Sequence, residues 1–299
     1  MGYLAIGLLK LLGLVPFTWS QKFGAWIGKQ AMKRPTRLRE VARINIALTY
    51  PHLSKEEQEQ LVYDSLLETG KSGSEMGAMW GAGPEKGRNL VRKIHNLEYF
   101  TDAIASKRGV LFCVPHLGNW EVLNHIATMY GTVTALYRPA KNKVLDKWMR
   151  ESRQKTGGLL VPTTSAGIKQ MFEALENGNV AGILPDQEPK PERGVFAPFM
   201  GVETLTPKLP HQLITEYNAL VVFGFAKRLP NAEGFEVYFF QPEDDIYSED
   251  LETSAAAMNR TIEKMVAIAP AQYQWTYKRF RRRPNNEPNP YDVLKRAKN

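Results

Sequence analysis

The sequence predicts an α/β fold in which a mainly parallel central sheet is flanked by helices and preceded by a helical N-terminal segment. Three observations lead there. From about residue 89 short apolar runs alternate with helical patterns, which implies crossover connections between parallel strands. Before residue 89 the helical period dominates. At 299 residues, with 43% hydrophobic and 23% charged, the chain is long enough to bury one large core.

The elements follow in order. Residues 1–17, MGYLAIGLLKLLGLVPF, are nearly all apolar, interrupted by Lys10. As one helix they would span about 25 Å, slightly short of the ~30 Å hydrocarbon core of a bilayer. No basic segment precedes the run and no small-x-small cleavage site follows, so a secretory signal is a poor fit. Lys22, Lys29, Lys33, Arg34, Arg37 and Arg39 come after it. Residues 1–30 are therefore expected to form a transmembrane anchor and interfacial helix, with the bulk of the chain on the cytoplasmic side.

Helices are expected at 35–50 and 54–80, separated by Pro51, with Ser54 as N-cap of the second. Within it ETGKSG looks like part of a phosphate loop, but Ser65 stands where the first glycine is required, and the match is rejected. Strands are expected at 89–94, 110–115, 133–137, 159–162, 180–184, 220–225 and 235–240. Helices fall at 98–106, 119–130, 142–155, 165–177, 208–217 and 250–268. The resulting domain covers 31–284, helical to 88 and α/β from 89, followed by an irregular tail over 285–299.

A net charge of +8 and a pI near 9.4 point to an acidic or phosphate-bearing partner. Nucleic acid is disfavoured, because the arginines gather at strand ends and in the tail instead of interleaving with aromatics along one face. The single cysteine, Cys113, lies inside an apolar strand. It allows no internal disulfide and no cysteine-based metal site, and core packing suits it better than nucleophilic chemistry.

The stretch LFCVPHLGNWEVL (111–123) places His116 and Glu121 at the end of the most apolar strand. With five histidines and 31 acidic residues, about half a His-x4-acid match is expected by chance. Three occur: His52/Glu57, His116/Glu121 and His211/Glu216. His52 sits beside a capped helix start. His211 and Glu216 lie within a helix, where five residues rotate roughly 500° and separate the side chains. Only His116 combines a strand end, a Gly118-Asn119 turn and a following apolar helix, the place where open α/β sheets gather ligands.

Four other segments should surround the same mouth: Tyr137-Arg138-Pro139, Leu184-Pro185-Asp186-Gln187, the loop RGVFAPFMGVETLT at 193–206, and QYQWTYKRFRRRP at 272–284. Together with HLGNWE, these motifs resemble the late (lauroyl/myristoyl-type) acyltransferases of lipid A biosynthesis, within the wider His-x4-Asp/Glu lysophospholipid acyltransferase group. The resemblance runs from the N-terminus to about residue 284. It departs from the family pattern at Leu117, Glu188 and Tyr277, positions that bear on chain length and acceptor choice.

The resemblance implies transfer of a fatty acyl chain from acyl carrier protein to a hydroxyl of a lipid A precursor at a bacterial inner membrane, with the catalytic domain facing the cytoplasm. Partners are then acyl carrier protein, the lipid A precursor and an anionic membrane. No cofactor or metal is expected.

Elementary chemistry agrees. An alcohol attacking a thioester needs a general base, and imidazole suits neutral pH. His116 is expected as base, with Glu121 bonded to the other ring nitrogen. Backbone N–H groups at Gly118 and Asn119, or a guanidinium, are expected to stabilise the oxyanion. Arg138 and Arg153 suit phosphates of a head group, and Asp186 and Gln187 complete the expected substrate site. The alternative uses of the same pair are acyl-thioester hydrolysis and glycerolipid acylation.

Overall fold

The structure, a computed structural model, describes residues 2–296. Four helices come first: α1 (Gly2–Leu14), α2 (Phe17–Lys33), α3 (Arg37–Thr49) and α4 (Lys55–Met76). After the short α5 (Pro84–Asn89) the expected alternation appears. It runs β1 (Val91–His95), α6 (Leu97–Ala105), β2 (Val110–Cys113), α7 (Trp120–Ala127), β3 (Val133–Tyr137), α8 (Lys143–Gln154), β4 (Leu159–Pro162), α9 (Ser165–Glu176) and β5 (Val180–Ile183). A hairpin, β6 (Gly194–Phe199) and β7 (Val202–Pro207), precedes α10 (Leu209–Tyr217), β8 (Leu220–Arg228), β9 (Phe235–Phe240), α11 (Leu251–Ile268) and the terminal turn α12 (Val293–Arg296).

Seven strands form one sheet in the order β1-β9-β8-β2-β5-β3-β4. All neighbours are parallel except β8 and β9. The central β2 explains its own composition: Leu111 and Cys113 enter the core on one face, Phe112 and Val114 that on the other. A strand covered by helices on both sides has no solvated face and needs no polar alternation. Helix starts follow local chemistry, with Ser54, Asn119, Asn142, Thr164 and Asp250 each accepting a first-turn backbone N–H.

The transmembrane anchor requires correction. Among the described residues no helix is long and apolar enough to cross a membrane. Pro16 divides the apolar run: α1 has 13 residues, about 20 Å of helix, and α2 starts afresh beyond it. The second helix then packs into the domain by close backbone approach. A Cβ on Gly70 would stand 2.0 Å from the Gly24 carbonyl oxygen, and one on Gly28 would stand 2.2 Å from that of Leu66.

Other departures are local. The 193–206 stretch, expected as a loop, is mostly strand because Met200 and Gly201, both at positive φ, close a two-residue hairpin turn. Tyr291 is fully buried in the tail expected to be irregular; its hydroxyl accepts from the Phe280 amide and donates to Asn45. Residues 297–299 of that tail lie outside the described residues.

Candidate active site

His116 stands where β2 has ended and before α7 begins. The intervening turn is held on three sides. Gly118 takes φ +63°, and a Cβ there would meet the Ala226 carbonyl oxygen at 1.9 Å, so only glycine fits. The Gly118 amide donates to Gln272 O at 3.0 Å, and the Asn119 amide to Ala226 O at 3.0 Å. Gln274 N donates to His116 O at 3.0 Å, so the 272–274 segment clamps the turn from the C-terminal side.

The carboxylate on the imidazole is Asp186. His116 Nδ1 lies 2.7 Å from Asp186 Oδ1, and the His116 backbone N donates to Oδ2 at 2.8 Å. A carboxylate can only accept, so Nδ1 carries the proton and Nε2 presents a lone pair. The side-chain amide of Gln187 donates to Nε2 at 3.1 Å and, through its other hydrogen, to Gln274 Oε1 at 2.9 Å. Burial works to raise the Asp186 carboxyl. The charge of His116, its two hydrogen bonds and the buried Arg279 prevail and hold it below the usual carboxylate range.

Glu121 is not on the imidazole. Its carboxylate, 3% exposed, accepts from Arg153 Nε at 2.9 Å, from Arg153 Nη2, and from Trp80 Nε1 at 2.9 Å. Arg153 also lies over the Trp80 ring, 5.2 Å from its centroid. Burial pushes the Glu121 carboxyl up, but Arg153 and Trp80 outweigh it and hold it low. The expected His116–Glu121 hydrogen bond is thus replaced by His116–Asp186 and Glu121–Arg153. Helix geometry is the reason: Glu121 is on the first turn of α7 and faces α8 and the π-helical turn Gly77–Gly81 that carries Trp80.

The backbone amides expected as oxyanion donors are engaged in holding the turn. The amides of Gly118 and Asn119 already donate to carbonyls. The Asn119 side chain, fully buried, accepts from Glu121 N at 3.1 Å and donates to Glu75 Oε2 at 2.9 Å. It joins the turn to a buried network in which Arg228 meets Glu75 and Glu68, and Gln21 of α2 donates to Glu75. In this structure the two residues hold the turn that carries His116.

Two cavities meet at this point. One of about 490 Å³ runs under α7 along the sheet, walled by Phe112, Val114, Leu123, Ala127, Val133 and Ala135, with His116, Arg138, Arg153 and Gln187 also lining it. The other, about 260 Å³, opens toward α4 and is bounded by Ser72, Met76, Trp80 and Gln272 to Gln274. His116, Trp120, Glu121 and Arg153 belong to both walls. Arg138, exposed, sits at the end of β3. Cys113 is fully buried, and burial pushes its thiol up, far from nucleophilic use.

Tyr273 and Gln274 belong to a segment expected at the mouth but are not singled out by the sequence, and Trp80, in a stretch expected as helix, lies outside the expected motifs. The available signal was the alternation of amides and aromatics in QYQW.

A mainly parallel α/β sheet with a carboxylate-held histidine at the end of a central strand, beside a largely apolar cavity, has the parts of an enzyme active site. Residues 1–282 match the family model for bacterial lipid A biosynthesis acyltransferase, and the chain belongs to that family; it is an acyltransferase. It is 27% identical over 290 residues to the lipid A biosynthesis lauroyltransferase of Escherichia coli K12, covering 97% of this chain and 94% of the relative. The palmitoleoyltransferase and the myristoyltransferase of lipid A biosynthesis from the same organism are each 26% identical over 97% of this chain, and over 94% and 89% of their own lengths.

Proposed function

We propose that the protein transfers a fatty acyl chain from acyl carrier protein to a hydroxyl of a lipid A precursor, with His116 as general base. The observation that carries the reading is the shared wall: one imidazole borders both a largely apolar cavity of about 490 Å³ and a second cavity facing α4. An acyl chain suits the first. The second gives another substrate its own approach, which favours transfer over simple hydrolysis.

In the step itself, the acceptor hydroxyl displaces the Gln187 amide and gives its proton to His116 Nε2 as its oxygen attacks the thioester carbonyl. The C–S bond breaks, and the imidazolium returns the proton to the departing sulfur. Asp186 fixes the ring and stabilises the imidazolium, the part that Glu121 was expected to take. Glu121 instead locks Arg153 in the wall shared by both cavities, so that Arg153 is the guanidinium available to the oxyanion or to acceptor phosphates, while Arg138 stands on the side away from α4.

The exposed apolar faces of α1 and α2 support attachment to a membrane surface without a spanning helix. Tyr3, Leu4, Leu8, Leu11 and Leu14 line one side of α1, and Trp19, Lys22, Trp26 and Lys29 form a stripe along α2. This surface would lie on the cytoplasmic side of the inner membrane. Mass spectrometry of lipid A from cells with and without the gene tests the reaction: one acyl chain should be missing without it. Unchanged lipid A in a strain with no second such enzyme overturns it.

A further inference from the structure

A third cavity, about 340 Å³, lies beside the mouth of the apolar one. Its wall holds Arg138, Lys190, Lys278, Arg281 and Arg282 with a single carboxylate, Glu188. Arg138 lines both this cavity and the apolar one. Glu188 does not neutralise the set so much as shape it. Its side chain is fully buried and accepts from Arg281 Nε at 3.1 Å, Arg281 Nη2 at 2.8 Å, Arg282 N at 3.1 Å and Arg282 Nη1 at 2.5 Å. The outer faces of the two arginines stay accessible, at 50% and 36% exposure. The Glu188 amide donates to the Tyr277 hydroxyl at 3.2 Å, which fixes the loop two residues beyond Asp186.

Arg138, Lys190, Arg281 and Arg282 on one concave wall favour an anion, and fixed guanidiniums match phosphate oxygens. The geometry points to a phosphate subsite for the acyl donor, taking the phosphate of a 4′-phosphopantetheine arm whose thioester lies at His116. This rests on the transfer reading proposed above. A donor whose acyl chain fills the apolar cavity trails its arm out past Arg138. The α4-side cavity, next to the helices with exposed apolar faces, is left to the lipid acceptor. The buried anchoring of Arg281 and Arg282 on Glu188 means that the occupant also presses on the loop carrying Asp186 and Gln187.

The test compares S-acyl-4′-phosphopantetheine with S-acyl-pantetheine, which lacks the phosphate, using the full chain in detergent. For the wild type the phosphorylated donor should show a KM lower by about tenfold, the value of one good charge-assisted contact. Lys190→Gln and Lys190→Glu, at an exposed position, should erase that difference while leaving the KM for the acceptor unchanged. Three outcomes overturn the subsite: equal KM values in the wild type, a preference that survives both substitutions, or an effect on the acceptor KM alone. Equilibrium dialysis of 4′-phosphopantetheine reads the site without turnover. If the wild type binds it and Lys190→Glu does not, yet no thioester supports transfer, the subsite stands and the transfer reading fails. Equal binding by both proteins overturns the subsite whatever the transfer result.

Discussion

The carboxylate of Asp186 holds His116 twice, through Nδ1 at 2.7 Å and through the backbone N at 2.8 Å. One side chain thereby sets the ring's tautomer and its position relative to the end of β2. Asp186→Asn keeps the shape but can present an amide N–H to Nδ1, which would move the ring proton to Nε2 and abolish the base. Turnover should fall about 10³–10⁴-fold with KM little changed. His116→Ala should fall as far. His52→Ala and His211→Ala should stay near wild type. Steady-state kinetics on folded protein, checked by circular dichroism, decides it, and Asp186→Asn with full turnover would falsify the assignment.

The Glu121–Arg153 pair makes a different prediction, about stability as well as activity. Both side chains are mostly buried, at 3% and 17% exposure. Glu121→Ala leaves a buried guanidinium unpaired and should cost roughly 3–5 kcal/mol. The double variant Glu121→Ala/Arg153→Met should recover part of that. Trp80→Phe removes one donor to Glu121 but keeps the ring beneath Arg153, and should cost only about 1 kcal/mol. Urea unfolding of the wild type, Glu121→Ala, Arg153→Met and the double variant closes the cycle; additive single effects would show that the pair is not coupled.

Acid stability follows from the same carboxylates. The folded values of Asp186 and Glu121 lie below the ordinary ones, so the unfolded chain takes up protons first as pH falls. Their stabilisation is present above about pH 4, the ordinary carboxylate value, and is lost as pH drops through the lowered folded values. The melting temperature should be flat from neutral pH to about 5 and fall steeply below about 4. Asp186→Asn and Glu121→Gln should each make that fall shallower. An identical slope in all three proteins would mean that other groups set the acid limit.

The location of the site was legible in the sequence because it depends on local order. A fully apolar strand ending in Pro115-His116, a glycine turn and a capped helix can be read residue by residue. The wiring was not legible. Asp186 is 70 residues from His116 and meets it because β5 neighbours β2 in the sheet, a pairing that periodicity does not reveal. Glu121 looked like the partner because it is near in sequence, yet the first turn of α7 aims it at Arg153 and Trp80. The anchor failed for a related reason. Hydropathy along residues 1–17 is continuous, but Pro16 breaks the helix and glycines at 24, 28 and 70 let α2 dock on α4.

That docking changes how membrane attachment should be tested. Removing α1 would uncover more than a membrane face, since Lys86 Nζ donates to Gly13 O and a Cβ on Gly13 would stand 2.5 Å from Gly77 O. Deletion would disturb the π-helical turn that carries Trp80, confusing lost attachment with a damaged site. Point changes on the exposed stripe avoid this. Trp19 and Trp26 are 70% and 57% exposed, so Trp19→Ser/Trp26→Ser should leave the melting temperature within about 2 °C, as surface changes do. Vesicle binding should weaken by tenfold or more, because each indole contributes apolar area that lysines alone cannot replace. Lys22→Gln/Lys29→Gln should instead reduce binding only on anionic vesicles and only at low salt. Cosedimentation with neutral and anionic vesicles across a salt series separates the two contributions. Undiminished binding of the tryptophan variant to neutral vesicles would place the membrane contact elsewhere on the molecule.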